Sequence, residues 1–252
     1  NNREIGPNHP PYVVAELSAN HNGSLEKALE TITKAKEMGA DAVKIQTYEA
    51  ETMTIDCDKE HFKLHEGLWK GYNLYNLYEW AQTPFEWQKD IFEHSKSVGI
   101  TCFSTPYEET AVDLLEDLNT PAYKIASFEA IDLPLIKYVA STKKPMIIST
   151  GMTNLSEIEE AIDTARTNGC NQLIILHCTS GYPVPLDQVN LLNIPDIRNK
   201  FNVLTGLSDH TLGTSVSIAS ISLGACFIEK HFILSRTDKG PDSEFSLEPK
   251  EL

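Results

Sequence analysis

The sequence alternates regularly between apolar runs of strand length and segments of helical periodicity. Eight such runs occur, at residues 11–17, 41–47, 100–104, 122–126, 145–149, 172–178, 202–205 and 225–228. Strict β/α alternation implies a parallel sheet, because each helical crossover returns the chain to the same end of the sheet. Eight units in 252 residues match a (β/α)8 TIM barrel, which typically needs about 250 residues. The alternative is an open doubly wound sheet, but the Gly-x-Gly-x-x-Gly turn that usually opens that fold does not occur.

We therefore predict an α/β chain in which residues 1–252 form one barrel domain. The chain ends at residues 248–252, where the eighth helix should begin, so we expect a barrel truncated at that point and a longer full protein. Two helices should open with capping boxes, one at Thr83 to Glu86 and one at Ser156 to Glu159.

Residues 48–82 interrupt the alternation after the second predicted strand. A loop of this length inside a compact domain is usually functional or disordered. Aromatic side chains favour order here, and they include Trp69, Tyr72, Tyr75, Tyr78 and Trp80. We expect a flap over one end of the barrel, with the packing of a subunit contact as the alternative.

Charge and cysteine usage narrow the class of partner. The formal net charge is −15, which repels nucleic acid and acidic membrane surfaces. No apolar run approaches the roughly 20 residues of a membrane-spanning helix. The five cysteines are scattered and form no Cys-x-x-Cys motif, which is typical of a reduced, cytoplasmic setting. We expect no nucleic-acid or membrane partner, and an anionic small molecule would need a local cluster of lysines.

Polar side chains mark the ends of the predicted strands, where (β/α)8 barrels carry their chemistry. His210 and His231 follow the seventh and eighth strands, so neighbouring parallel strands should bring their imidazoles together. Two imidazoles suit Mn, Co, Zn or Fe better than Ca, with substrate oxygens and water completing the shell. Lys44 and Lys124 lie within the second and fourth strands, beside Ser and Thr hydroxyls. Together they predict a pocket for phosphate or carboxylate.

Structural roles are the alternative for each of these side chains. A single His at a strand end is commonly a hydrogen-bonded structural residue, and a buried Lys is usually paired with a carboxylate, here Glu16 or Glu129. Strand alternation places Ser208 and His210 on one side of their strand and Asp209 on the other. The residues alone therefore indicate a barrel that binds a metal and an anion, and no specific reaction.

Nine motifs in order along the chain resemble those of the sialic acid synthase family. They are AELSANHNG at 15–23, VKIQT at 43–47, FSTP at 103–106, AYKIASFE at 122–129, ISTGM at 148–152, HCTSGYP at 177–183, GLSDHT at 206–211, EKHF at 229–232 and KGPD at 239–242. Within the family, ELSANH at 16–21 and GLWKGYNLY at 67–75 resemble the branch that makes pseudaminic acid. Members that make N-acetylneuraminate usually have Glu-Ile-Gly-x-Asn-His at the first motif, and an Asn where this chain has Ser180.

The resemblance implies a cytoplasmic transferase of sialic acid biosynthesis. Phosphoenolpyruvate would condense with the open-chain aldehyde of an acetamido sugar, giving a nonulosonic acid and phosphate. For the pseudaminate branch the sugar is a 2,4-diacetamido-2,4,6-trideoxyhexose. Synthesis of N-acetylneuraminate or legionaminate is the alternative, and another metal-dependent barrel aldolase is a further one. The family also implies a homodimer, in which a C-terminal antifreeze-like domain, not present in this chain, reaches into the partner's active site.

Residue roles are implied by motif position. His210 and His231 resemble the metal ligands, with Mn²⁺ the expected ion and Mg²⁺ or Co²⁺ as substitutes. The side chains that resemble the phosphoenolpyruvate cradle are Lys44, Thr105, Lys124, Ser127, Ser149, Ser180 and Ser208. Glu16 and Glu129 resemble the carboxylates beside the reacting carbons, and with Lys44 and Lys124 they form the expected catalytic set. The residues that resemble sugar contacts are Gln46, Tyr182 and Asp242.

Overall fold

The computed structural model describes residues 3–252, which form a closed barrel of eight parallel strands in sequence order. The strands are β1 (Tyr12–Glu16), β2 (Ala42–Thr47), β3 (Thr101–Pro106), β4 (Tyr123–Ile125), β5 (Met146–Ser149), β6 (Leu173–Cys178), β7 (Leu204–Asp209) and β8 (Phe227–His231). The helices are α1 (Leu25–Glu37), α2 (Ala50–Met53), α3 (Leu74–Ala81), α4 (Phe85–Val98), α5 (Glu109–Asp117), α6 (Leu133–Ser141), α7 (Leu155–Thr167), α8 (Asn193–Phe201) and α9 (Ser215–Ser222). The predicted (β/α)8 fold is confirmed.

Both predicted capping boxes are wrong in position. Helix α4 starts after Pro84, which caps it without a side-chain hydrogen bond, so Thr83 lies one residue outside the helix and its hydroxyl is buried without a partner. Helix α7 starts two residues earlier than predicted. Asn154 accepts hydrogen bonds from the first-turn amides, and Glu157 reaches back to the Asn154 amide. This pair has the same spacing as the predicted one, and Asn is an equally good N-cap.

The barrel interior changes from apolar to polar along each strand. Side chains alternate between the interior and the surrounding helices, so on β8 the inward residues are Phe227, Glu229 and His231. On β1 the inward Val14 is followed by Glu16. The apolar floor also contains Phe103, Ile147, Ile174 and Leu176. Because this floor is sealed, the charged groups above it are poorly solvated and interact strongly with one another.

Residues 48–82 are structured, as their aromatic content predicts. They include α2, a short 3-10 turn at Glu60–Phe62 and α3, with an antiparallel bridge between Lys63 and Asn73. After β8, the described part of the chain has only two further 3-10 turns, Arg236–Asp238 and Ser243–Phe245. Among residues 3–252, no helix combines the length and apolar character needed to cross a membrane.

Candidate active site

Two lysines and two glutamates form a buried charge cluster at the carboxyl ends of the strands. The Nζ atom of Lys44 lies 2.6 Å from Glu16 Oε2 and 3.8 Å from Glu229 Oε1. The Nζ atom of Lys124 lies 3.2 Å from the same Glu229 oxygen. Lys44 also donates to the Thr105 hydroxyl at 3.0 Å. All four charged side chains are almost completely sealed from solvent, so they are held in place as a unit.

The members of this cluster have different proton affinities. Burial raises the pKa of Glu16 to about 7, against the attraction of Lys44. Burial alone would also raise the pKa of Glu229, but Lys124 and Lys44 hold it below its ordinary value. Burial alone would lower the pKa of Lys44, but the two carboxylates raise it. Glu229 is therefore the more acidic of the two carboxyl groups, and Lys44 keeps its ammonium form. Burial lowers the pKa of Lys124, and an anion bound beside it would favour its charged form.

His210 and His231 lie side by side at the ends of β7 and β8, as predicted. Their ring centroids are 5.5 Å apart. The Nδ1 atom of His210 is 3.2 Å from the Thr179 carbonyl oxygen, which as an acceptor favours a proton on that nitrogen and leaves Nε2 as the lone-pair donor. The Nδ1 atom of His231 is buried without a hydrogen-bond partner and lies 3.6 Å from Asp242 Oδ2. Burial and the neighbouring His210 hold the pKa of His231 well below its ordinary value.

This pair fits a shared divalent cation. The neighbouring Cys178 raises the pKa of His210 against its burial, so a bound cation would have to displace a proton from that ring. In their neutral forms, two imidazoles with ring centroids 5.5 Å apart can share one ion. The described residues contain no group of three His, Cys, Asp or Glu side chains arranged to hold a metal. That substrate oxygens and water complete the shell stays a prediction, as does the identity of the ion.

A group of hydroxyls lies beside the charge cluster. Ser208 donates to Glu229 Oε1 at 3.3 Å, and the Ser127 hydroxyl accepts from the Gly151 amide at 3.1 Å. A Cβ atom at residue 151 would lie 2.4 Å from Ser180 Oγ and 2.8 Å from Ser127 Oγ, so only glycine allows this close approach. The hydroxyls of Ser149 and Ser180 are buried without hydrogen-bond partners. Unsatisfied buried hydroxyls of this kind are available to a bound anion.

Two of the predicted sugar contacts lie beside the histidine pair, and the third lies on β2. The Tyr182 ring centroid is 4.4 Å from that of His210. Asp242 is buried, accepts from the Ala19 amide at 3.4 Å and has its pKa raised by burial. Gln46 faces inward on β2, paired in register with Thr105.

Glu129 lies on the 3-10 turn after β4. One of its carboxylate oxygens is buried without a partner. Burial raises the pKa of Glu129 to about 7.

Other polar strand-end residues point away from the pocket and are structural. Asp209 accepts from Ser217 on α9 at 2.5 Å and pairs with Lys230 at 3.1 Å. Lys230 also donates to the Thr211 carbonyl at 2.6 Å, which braces the loop just after His210. His177 is 2.6 Å from the Val189 carbonyl. Strand alternation predicted the outward direction of Asp209.

Three residues of the pocket were missed as site candidates. Glu229 lies between the two lysines and contacts both. Strand alternation puts Glu229 and His231 on the same face of β8, so Glu229 could have been predicted to face the pocket. Cys178 lies 3.8 Å from His210 Nδ1, although its apolar strand indicated only a core thiol. The Phe245 ring centroid lies 4.8 Å from that of His231. No local pattern indicated this contact.

Comparisons with known proteins agree with this fold. A family model described as the NeuB family matches residues 31–252. The pseudaminic acid synthase of Campylobacter jejuni is 45% identical, over 94% of this chain and 69% of the relative. That of Helicobacter pylori is 44% identical, over 95% of this chain and 70% of the relative.

The fold is also similar to that of solved structures. One of them is the N-acetylneuraminic acid synthetase of Leptospira borgpetersenii in complex with citrate, with a TM-score of 0.89 and 31% identity. The match covers 99% of this chain and 82% of that one. The chain belongs to the NeuB family.

Proposed function

We propose that this chain condenses phosphoenolpyruvate with the open-chain aldehyde of a 2,4-diacetamido-2,4,6-trideoxyhexose. The products are pseudaminic acid and inorganic phosphate. The observation that carries the proposal is that the lysine cluster and the histidine pair lie at the same end of one barrel. The similarity to pseudaminic acid synthases supports this choice of sugar.

The lysines and hydroxyls would bind phosphoenolpyruvate. Phosphoenolpyruvate carries carboxylate and phosphate charge, and Lys44 and Lys124 present fixed ammonium groups to balance it. Ser127, Ser149 and Ser180 offer hydroxyls beside them. Preorganised donors of this kind stabilise charge without reorganising during the reaction.

The carboxyl groups account for the proton transfers. The bond between the aldehyde carbon and C3 of phosphoenolpyruvate forms as the aldehyde oxygen gains a proton. Water then adds to C2 and loses a proton. The new C2 hydroxyl gives up its own proton as the C2–O bond to phosphate breaks, which leaves the C2 ketone and inorganic phosphate. Glu16 and Glu129, each with a pKa near 7, can release or accept protons near neutral pH.

The histidine pair accounts for activation of the aldehyde. A divalent metal held by His210 and His231, with Mn²⁺ expected, would supply Lewis-acid polarisation of the aldehyde oxygen. Tyr182 and Asp242 border the same space and would orient the sugar. We also propose that residues 1–252 form a single catalytic domain. The protein would act as a homodimer in the cytoplasm.

The test offers the complete protein Mn²⁺, phosphoenolpyruvate and a panel of acetamido hexoses. We expect phosphate release only when both substrates are present, and a nonulosonic acid by mass spectrometry from the 2,4-diacetamido sugar. A product from N-acetylmannosamine alone would identify an N-acetylneuraminate synthase instead. Cleavage of a keto acid without phosphoenolpyruvate would point to a metal-dependent aldolase.

A further inference from the structure

Trp69 is one of the side chains through which the 48–82 segment reaches the pocket. This indole is half-buried, and its Nε1 donates to the Pro241 carbonyl at 2.9 Å. Its ring centroid lies 5.4 Å from that of Tyr182. Trp69 therefore contacts two chain segments that are distant in sequence, one after β6 and one after β8.

Both of these segments contain predicted sugar contacts. Tyr182 packs on His210 at 4.4 Å between ring centroids. Pro241 immediately precedes Asp242, whose carboxylate is 3.6 Å from His231 Nδ1. Trp69 is thus linked to His210 through Tyr182, and to His231 through Pro241 and Asp242. If the aldehyde lies at the histidines, the indole lies toward the end of the sugar remote from the aldehyde.

The wall that runs from the histidine pair out to Trp69 is aromatic. Phe245 packs against Tyr182 at 5.3 Å and against His231 at 4.8 Å between ring centroids. Such a surface favours methyl groups and C–H faces, whereas a hydroxyl held against it loses its hydrogen bonds to water. The wall therefore suits a sugar whose remote end carries a methyl group rather than a hydroxymethyl group.

We propose that Trp69 is a specificity-determining residue that selects the methyl-bearing, 6-deoxy end of the acetamido sugar. This inference rests on the proposed function. The alternative is that Trp69 only packs the 48–82 segment onto the barrel. Trp80 offers a matched control in the same segment, since it stacks on Tyr72 at 5.7 Å and is 38% exposed.

The experiment compares Trp69→Ala, Trp69→Phe and Trp80→Ala in the complete protein. KM and kcat are measured for phosphoenolpyruvate, for the 6-deoxy sugar and for its 6-hydroxy counterpart. For Trp69→Ala we expect KM for the 6-deoxy sugar to rise about tenfold, as loss of one aromatic contact would cause. KM for phosphoenolpyruvate and for the 6-hydroxy sugar should change little. Trp69→Phe, which keeps a ring but loses the N–H donor, should show a smaller rise in the same direction, and Trp80→Ala should match the wild type.

The outcomes separate the two proposals. Equal changes for both sugars, a parallel rise for phosphoenolpyruvate, or no change at all would overturn the role of Trp69 and leave the proposed function standing. A wild-type protein that condenses no sugar would overturn both. If Trp69→Ala does not fold, the same comparison with Trp69→Phe decides the question.

Discussion

The ammonium group of Lys44 lies 2.6 Å from the carboxylate of Glu16, and both side chains are sealed inside the barrel. Glu229 approaches the same ammonium group at 3.8 Å. A buried cation between two carboxylates contributes little net stability by itself, but its removal leaves unbalanced charge where water cannot screen it. The pair is therefore both a structural requirement and a preformed part of the anion pocket.

Lys44→Met should destabilise the protein and abolish phosphate release. We expect the free energy of unfolding to fall by about 3 kcal/mol, the usual effect of breaking a buried ion pair. Urea denaturation measures the loss. Lys89→Met is the control, because the Lys89–Glu93 pair is exposed and 3.9 Å long, and it should change stability little. Equal stability of Lys44→Met and wild type would show that the cluster is more solvated than the structure indicates.

Replacement of either predicted metal ligand should prevent Mn²⁺ from restoring activity. Wild-type protein treated with EDTA should stop releasing phosphate and recover when Mn²⁺ is added. His210→Ala and His231→Ala should not recover, since loss of a ligand should weaken Mn²⁺ binding by at least about 100-fold. His61→Ala, at an exposed site in the 48–82 segment, should recover fully. Full recovery of either pocket variant would remove the histidine pair from the mechanism.

The order of the strands and the positions of the site residues along them follow from local patterns. Apolar runs and strand alternation were enough to place Lys44 within the second strand, and to place His210 and Asp209 on opposite sides of the seventh. Glu16, the carboxylate nearest to Lys44, was one of the two partners that the sequence suggested. The second contact of Lys44, with Glu229, could not be predicted in the same way. It depends on how the barrel closes, because β8 pairs with β1 rather than ending the sheet.

Helix starts and long-range loop contacts were the least predictable features. Asn154 and Ser156 each begin a valid capping sequence, and packing of α7 selects between them. The hydrogen bond from Trp69 to Pro241 joins residues 172 positions apart. Neither residue lies in a repeating pattern, so only the folded chain shows that the segment borders the pocket.

Gly151→Ala should weaken binding of phosphoenolpyruvate. The added Cβ would lie 2.4 Å from Ser180 Oγ and 2.8 Å from Ser127 Oγ, so one or both hydroxyls must move. We expect KM for phosphoenolpyruvate to rise about tenfold, or about 1.4 kcal/mol, with a smaller effect on the sugar. Gly6→Ala is the control, because the nearest atom to its Cβ is 3.9 Å away. A rise in KM for the sugar alone would contradict a hydroxyl cradle for the anion at this position.

Glu129→Gln should stabilise the protein more at high pH than at low pH. Burial raises the pKa of Glu129 to about 7 in the folded chain, whereas an unfolded Glu titrates near about 4.3. As pH rises between these values, the unfolded chain releases the proton first, so the wild type loses stability and the loss is complete above pH 7. Glutamine cannot ionise and removes this loss.

The gain in unfolding free energy from Glu129→Gln should be about 1 kcal/mol larger at pH 8 than at pH 5.5, allowing for partial exposure of the carboxyl. Glu93→Gln, at a side chain that is 67% exposed on α4, should give the same small effect at both pH values. Thermal or urea unfolding at the two pH values measures the difference. A gain for Glu129→Gln that does not depend on pH would mean that this carboxyl is ionised throughout, held by Lys124. Glu129 could then accept a proton but could not donate one during condensation.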